Sequence, residues 1–203
     1  MKHIGLKLLL LIMVVLCSAC GILIVQPDQV AVVYNTVSGE LRTPLPAGTH
    51  FLGLFDNAIL YPIAVQQYTM AGSPEEGAVN PDDSIEARTS DGQRIWIELT
   101  LLFHVNPDQV NTLFIRWEQR YDSDFIRPTA RALVREIAAQ YSGADLYGTN
   151  RLAFKAALED DLRERMAEEG FILDDVLIRN VRFTPEFAGT MEAQAIATQN
   201  AHP

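Results

Sequence analysis

Ser84 to Val105 reads SIEARTSDGQRIWIELTLLFHV, and this stretch decides the fold. Two runs, Ser84–Thr89 and Gln93–Val105, flank Ser90-Asp91-Gly92, a turn that needs a residue tolerant of positive φ. The second run alternates. Ile95, Ile97, Leu99, Leu101, Phe103 and Val105 share one face, while Trp96, Glu98, Thr100 and His104 share the other. A long strand with one apolar face demands a layer of helix or sheet beneath it.

Helices follow downstream. Asn106-Pro107-Asp108 is a helix start, Asn106 at the N-cap and Pro107 in the first turn, carrying Val110, Leu113, Phe114 and Trp117 inward. A second helix is predicted from about Asp122 to Tyr141, restarting or bending at Pro128. Thr149 caps a third, which ends at Gly170 with Phe154, Leu158, Leu162 and Met166 on its apolar side. Phe171–Phe183 reads as a strand with Ile172, Val176, Ile178 and Val181 as its core side. Thr184-Pro185-Glu186 opens an alanine-rich last helix running to His202-Pro203.

Upstream, Ala71–Asp83 is a loop rich in Gly and Pro. Val30–Tyr34 reads as a strand, and His50–Phe55 with Ala58–Pro62 as a hairpin in a small sheet. A second reading makes Phe51, Leu52, Leu54 and Phe55 a lip that dips into a bilayer interface.

Leu8–Val25, LLLLIMVVLCSACGILIV, has no charge and no proline. As a helix it is about long enough to cross a ~30 Å hydrocarbon core, with Leu8, Leu11, Val15, Leu16, Ile22 and Ile24 among its apolar residues. Lys2 and Lys7 precede it, and the first cation after it is Arg42, which leaves the N-terminus in the cytoplasm. The stretch also fits a secretory signal. Leu16-Cys17-Ser18-Ala19-Cys20 resembles a bacterial lipobox with Cys20 as the acylated residue, although Cys17 stands where an aliphatic residue is usual.

The net charge of −10 excludes nucleic-acid binding, which needs clustered Lys and Arg. With 48% apolar and 21% charged residues, the chain has the profile of a packed globular protein. Both cysteines lie in the apolar leader, so the rest has no disulfide and no thiolate metal site. Of four histidines, His3 and His202 are terminal, and His50 and His104 lack a ligand-spaced partner. Asp160-Asp161 and Asp174-Asp175 are neighbours whose side chains point apart. No nucleophile motif, metal motif or phosphate-cradling loop is present. The expectation is a non-enzyme with no cofactor, no metal and no catalytic residue.

Several strings in order are similar to the prohibitin branch of the SPFH superfamily (stomatin, prohibitin, flotillin and bacterial protease regulators), also known as Band 7. They are Val25–Val32 (VQPDQVAV), Ala47–Leu52 (AGTHFL), Thr89–Gln93 (TSDGQ), Tyr121-Asp122 with Arg127-Pro128, and Gly170–Val176 (GFILDDV). Phe183–Phe187 and Glu192-Ala193-Gln194 match the start of that family's long helix. The resemblance implies an α+β SPFH domain of small sheets and packed helices behind an N-terminal membrane anchor. Its parts would be the anchor or lipoprotein signal over 1–25, a β-rich subdomain over 26–90, an α/β subdomain over 91–184, and a last helix over 185–203. It further implies rings or microdomains on one leaflet of a bacterial inner membrane, alone or with another SPFH protein, and regulation of a membrane AAA+ protease. Relatives continue into a long coiled coil, and this chain carries about four turns of it, which weighs against a closed cage. The interleaved charges Glu159, Arg163, Glu164 and Arg165, together with Met191, are the expected oligomer contacts. The rival expectation is a binding module anchored by lipid at Cys20 that acts without assembly.

Overall fold

The computed structural model describes residues 21–200 apart from Pro74, Asn80, Pro81 and Thr149, and the side chain of Thr198 is likewise not described. The chain divides into two compact units. One runs up to Ala64 and adds Val105–Arg116; the other takes Val65–His104 and everything from Trp117 onward.

The first unit holds β1 (Gly21–Val25), β2 (Gln29–Asn35), β3 (Gly48–Leu52) and β4 (Asp56–Pro62), with a 3-10 turn at Pro107–Gln109 leading into α1 (Val110–Trp117). β2 buries Val30, Ala31, Val32 and Val33 on both faces, so it is the centre of this unit. It pairs with β4 on one edge, and Leu45 and Leu41 bridge to its Ala31 and Tyr34. The Tyr34 and Phe114 rings stack 5.5 Å apart, and Asn106 caps the 3-10 turn through Asp108 N–H as its sequence predicts.

Two expectations are corrected here. The hairpin of His50–Phe55 with Ala58–Pro62 does not form, because β3 pairs with β1 and β4 pairs with β2. The cause is the second correction. Gly21–Val25 is a strand rather than the end of a helix, and its β-branched Ile22, Ile24 and Val25 suit a pleated partner for β3. Leu8, Leu11, Val15, Leu16 and Cys20 lie outside the described residues. Among the described residues, no helix is long and apolar enough to cross a membrane.

The second unit is built on the strand quoted at the outset. β5 (Gln66–Met70), β6 (Ile85–Arg88) and β8 (Phe171–Phe183) all pair with β7 (Arg94–Val105). Gly92 turns the β6–β7 hairpin at φ +83°, where a side chain would be strained, and Thr89 N–H donates to Gln93 O across it. Ile95, Ile97, Leu99, Leu101 and Val105 are fully buried and Phe103 nearly so, and the helices α2 (Arg127–Ala138) and α4 (Arg151–Glu168) complete the layer. Phe103, Tyr121, Phe125 and Phe171 form one aromatic cluster, with Trp117 tilted against Phe125.

Pro128 acts as a restart. A single wide π turn over Asp122–Ile126 precedes α2, which places the proline where it has no helical N–H to supply. Phe154, Leu158, Leu162 and Met166 are buried as predicted. The expected cap, Thr149, lies outside the described residues; Asn150 holds the N-cap position. On β8 the buried residues are Phe171, Leu173 and Val176, while Ile172 is exposed. The inward parity shifts by one across Asp174–Asp175, as it does at a bulge, so Ile172 faces outward while Val176, beyond the shift, is buried as predicted.

The short helix α3 (Gly143–Tyr147) begins in a capping box, Ser142 with Asp145, and Gly143 N–H also donates to the Asp91 carboxylate at 3.1 Å. α5 (Pro185–Asn200) is rooted beside it by Phe187, which stacks on Phe183, itself against Tyr147.

Candidate functional site

The first unit carries an apolar lip. In the β1–β3 ribbon Ile22 sits directly opposite Phe51, and Ile24 opposite Thr49, so these four share one face. The reverse face is packed inward, with Val25 buried and Leu23, His50 and Leu52 half-buried. On the outward face, Ile22 is 66% exposed, Ile24 67% and Phe51 72%. Leu54 and Phe55, in the turn after β3, are also exposed. Five large apolar side chains clustered on one ribbon and its turn differ from the singly scattered exposed residues of ordinary surfaces.

The lip is held stiffly. Asp56 Oδ2 accepts from Gly53 N–H at 2.7 Å and from the Arg42 guanidinium at 2.8 Å, and the Asp56 side chain is only 1% exposed. Asn35 Nδ2 donates to Asp56 Oδ1 at 3.4 Å. The Phe55 carbonyl accepts from both Thr36 N–H (2.7 Å) and the Thr36 hydroxyl (2.9 Å). His50 Nε2 donates to Pro46 O at 2.7 Å, which fastens the far side of β3. These bonds tie down the turn that carries Leu54 and Phe55.

Of the residues named from the sequence, Phe51, Leu54 and Phe55 are exposed on β3 and the turn after it, and Leu52 turns to the packed face. Ile22 and Ile24 join them from β1. Sequence reasoning missed that neighbourhood because an uninterrupted apolar run reads equally well as helix or strand.

The charges expected at an oligomer contact are dispersed. Lys155 takes the Glu159 carboxylate at 3.1 Å, and Glu159 also accepts from Val176 N–H, so it is engaged within its own chain. Arg163 pairs with Asp160 on the exposed side of α4 at 3.1 Å. Glu164 and Arg165 are exposed, and Met191 is half-buried on α5.

One buried ionic centre was not foreseen. Asp83 is fully buried and receives Arg127 Nη2 at 2.5 Å and Arg131 Nη1 at 2.9 Å. Its hydrogen bond raises Arg127 above the usual guanidinium range, whereas burial lowers Arg131. Arg131 also donates to the Asp83 carbonyl and Arg135 to the Glu86 carbonyl, so α2 covers the outer edge of β6 with long cations. The spacing of Arg127, Arg131 and Arg135, one turn apart, is the signal that points to it. This centre is structural, since both partners of the carboxylate are internal.

His104 Nδ1 lies 2.9 Å from Asp174 Oδ2 on the outer side of the sheet. Among the described residues no group of three or more His, Cys, Asp or Glu side chains could hold a metal ion.

Comparison with known proteins places these elements in a family. The SPFH domain / Band 7 family matches residues 23–202, and the chain belongs to that family. Within it, the similar proteins include prohibitins. The chain is 26% identical over 186 residues to Prohibitin-7, mitochondrial, of Arabidopsis thaliana, covering 91% of this chain and 62% of that protein. It is 26% identical over 172 residues to Prohibitin-2 of Saccharomyces cerevisiae (84% and 51%), and 30% identical over 113 residues to Prohibitin 1 of Bos taurus (56% and 41%). The chain is thus a prohibitin-like SPFH protein, and it spans about three-fifths or less of the length of these relatives.

Proposed function

We propose that this chain is a non-enzymatic, membrane-attached scaffold that assembles laterally, with copies of itself or with another SPFH protein, into rings or membrane microdomains. Such an assembly would corral membrane-bound ATP-dependent proteases. The observation that carries the reading is the stiff apolar lip of Ile22, Ile24, Phe51, Leu54 and Phe55, on a ribbon that follows directly from the apolar run ending at Cys20. A leader in the bilayer and a lip on its surface would hold each head in one orientation. Tethering to two dimensions raises effective concentration, so weak side contacts suffice. The test is extraction into nanodiscs followed by sizing, with the lip variant Leu54→Asp/Phe55→Asp beside the unaltered chain. The expected result is a large particle from native membranes and weaker lip protection from hydrogen exchange in the variant; a strictly monomeric particle overturns the proposal.

The manner of attachment has a second reading with its own support. With Gly21–Val25 in a strand, the uncharged run available for a span is Leu8–Cys20, thirteen residues and roughly 20 Å of helix, the length of a signal's apolar region. Acylation at Cys20 would then place the lipid immediately before β1, with the head in the periplasm. Mass spectrometry of the mature N-terminus separates the two, since a diacylated Cys20 and an intact Met1 are mutually exclusive.

A further inference from the structure

We infer that the last helix of one copy docks in a groove on the second unit of a neighbouring copy, an inference that rests on lateral assembly and names its contact. The groove has a volume of about 580 Å³ and runs between α4 and β8, lined by Arg151, Leu152, Lys155, Val176, Leu177 and Ile178. Leu152 is 78% exposed there and Leu177 42%, a heavy exposure for leucines that flank one depression. Arg151 donates to the Ile178 carbonyl at 3.3 Å, and among the described residues no carboxylate lies within ion-pair distance of it. The groove therefore offers apolar walls and an unneutralised cation at its rim.

α5 has the complementary character. From Pro185 to Asn200 it carries Glu186 and Glu192 and no cation. Its root is fixed by Phe187, and from Glu192 to Asn200 every described side chain is exposed. Gly189, Glu192, Ala193 and Ile196 fall on one face at helical spacing, so an acid stands one turn before an isoleucine that is 60% exposed. Gly189 and Ala193 leave that face shallow enough for close approach. The fit seats Ile196 between Leu152 and Leu177 and brings Glu192 to Arg151, a helix-in-groove contact steered by charge. Because groove and helix are different surfaces of the chain, the contact is heterologous and propagates from copy to copy, closing into a ring where the rotation allows.

The experiment uses two differently tagged full-length chains coexpressed in membranes, one Leu152→Cys and the other Ile196→Cys, each also expressed alone as control. A disulfide between the two tags is expected under mild oxidation. Glu192→Arg in the second chain should lower its yield about tenfold, and adding Arg151→Glu in the first should restore it. Large particles without the crosslink overturn this contact and leave lateral assembly standing, whereas monomeric particles overturn both. A crosslink confined to a chain bearing both cysteines, diluted in excess unsubstituted chain, also overturns it. Indifference to the charge reversal removes the Glu192–Arg151 pairing.

Discussion

The carboxylate of Asp56 closes on the guanidinium of Arg42 at 2.8 Å, and the pair is lopsided, the acid 1% exposed and the cation 53%. One buried carboxylate therefore gathers Gly53 N–H, Asn35 Nδ2 and Arg42, and with them the turn that carries Leu54 and Phe55. Removing the acid severs all three bonds, whereas removing Arg42 leaves two bonds and a site open to water. Asp56→Ala is expected to cost about 1–3 kcal/mol. Arg42→Ala should cost at most about 1 kcal/mol, because solvent screens a half-exposed partner. Urea unfolding of both variants gives the order, and hydrogen exchange at Leu54 and Phe55 should quicken in the first alone. The reverse order would mean that Asp56 depends on its cation rather than on the turn.

The seat of α5 is a close approach at Gly143. A Cβ built there would lie 2.7 Å from Phe187 Cζ and 3.2 Å from Gln93 Cγ. The Phe187 ring can yield only by disturbing its stack on Phe183. Gly143→Ala is therefore expected to destabilise the second unit by about 1–3 kcal/mol, the usual cost of forcing an extra carbon into a packed contact. Its more specific effect is on direction, since α5 loses its root. Exchange protection of Phe187–Met191 should fall while that of β7 holds; equal loss in both would indicate general unfolding instead.

How much of the fold the sequence shows depends on the range of the interaction. The apolar face of β7 was readable from its alternation, and the α4 stripe from its spacing of four, because both periods come from local backbone geometry. The wide turn before Pro128 was half readable, since proline forces an interruption without saying which kind. Ile22 and Ile24 were not readable as strand residues. Their neighbours are apolar throughout, and the strand that pairs with them, β3, meets them only through Phe51 and Thr49, far along the chain. Likewise nothing local to Asp56 or Asp83 announces burial, which the partners Arg42, Arg127 and Arg131 make tolerable from distant positions. The exposure of Phe51, Leu54 and Phe55 follows from their place in and beside a turn, whereas that of Ile22 and Ile24 depends on the pairing of β1 with β3.

Asp83 should be the most sensitive single position in the second unit. Its carboxylate is fully buried between two guanidinium groups that are themselves 35% and 20% exposed. Asp83→Asn keeps the volume and deletes the charge, which leaves two cations facing each other across the edge of β6. Breaking a buried pair in this way costs about 3–5 kcal/mol. Thermal unfolding of the variant should show that loss, and a change below about 1 kcal/mol would place the centre in effective contact with water.

Acid should loosen the α3 corner before the sheet. The Asp91 carboxyl is held below its ordinary range by the Thr89 hydroxyl and also by Gly143 N–H, and Asp145 is lowered by the Ser142 hydroxyl and backbone N–H. Both groups thus bind a proton less readily folded than unfolded, so their contribution is present above the unfolded value, about 3.9, and is lost as pH falls through the folded one. The expected melting temperature is level from pH 7 to about 5 and declines below about 4, with α3 and the Phe187 root of α5 losing exchange protection first. Asp91→Asn removes one of the titrating acids while keeping a side-chain acceptor for Gly143. That variant should start lower at neutral pH and decline less steeply, and a slope equal to that of the unaltered chain would show that the acid sensitivity lies elsewhere.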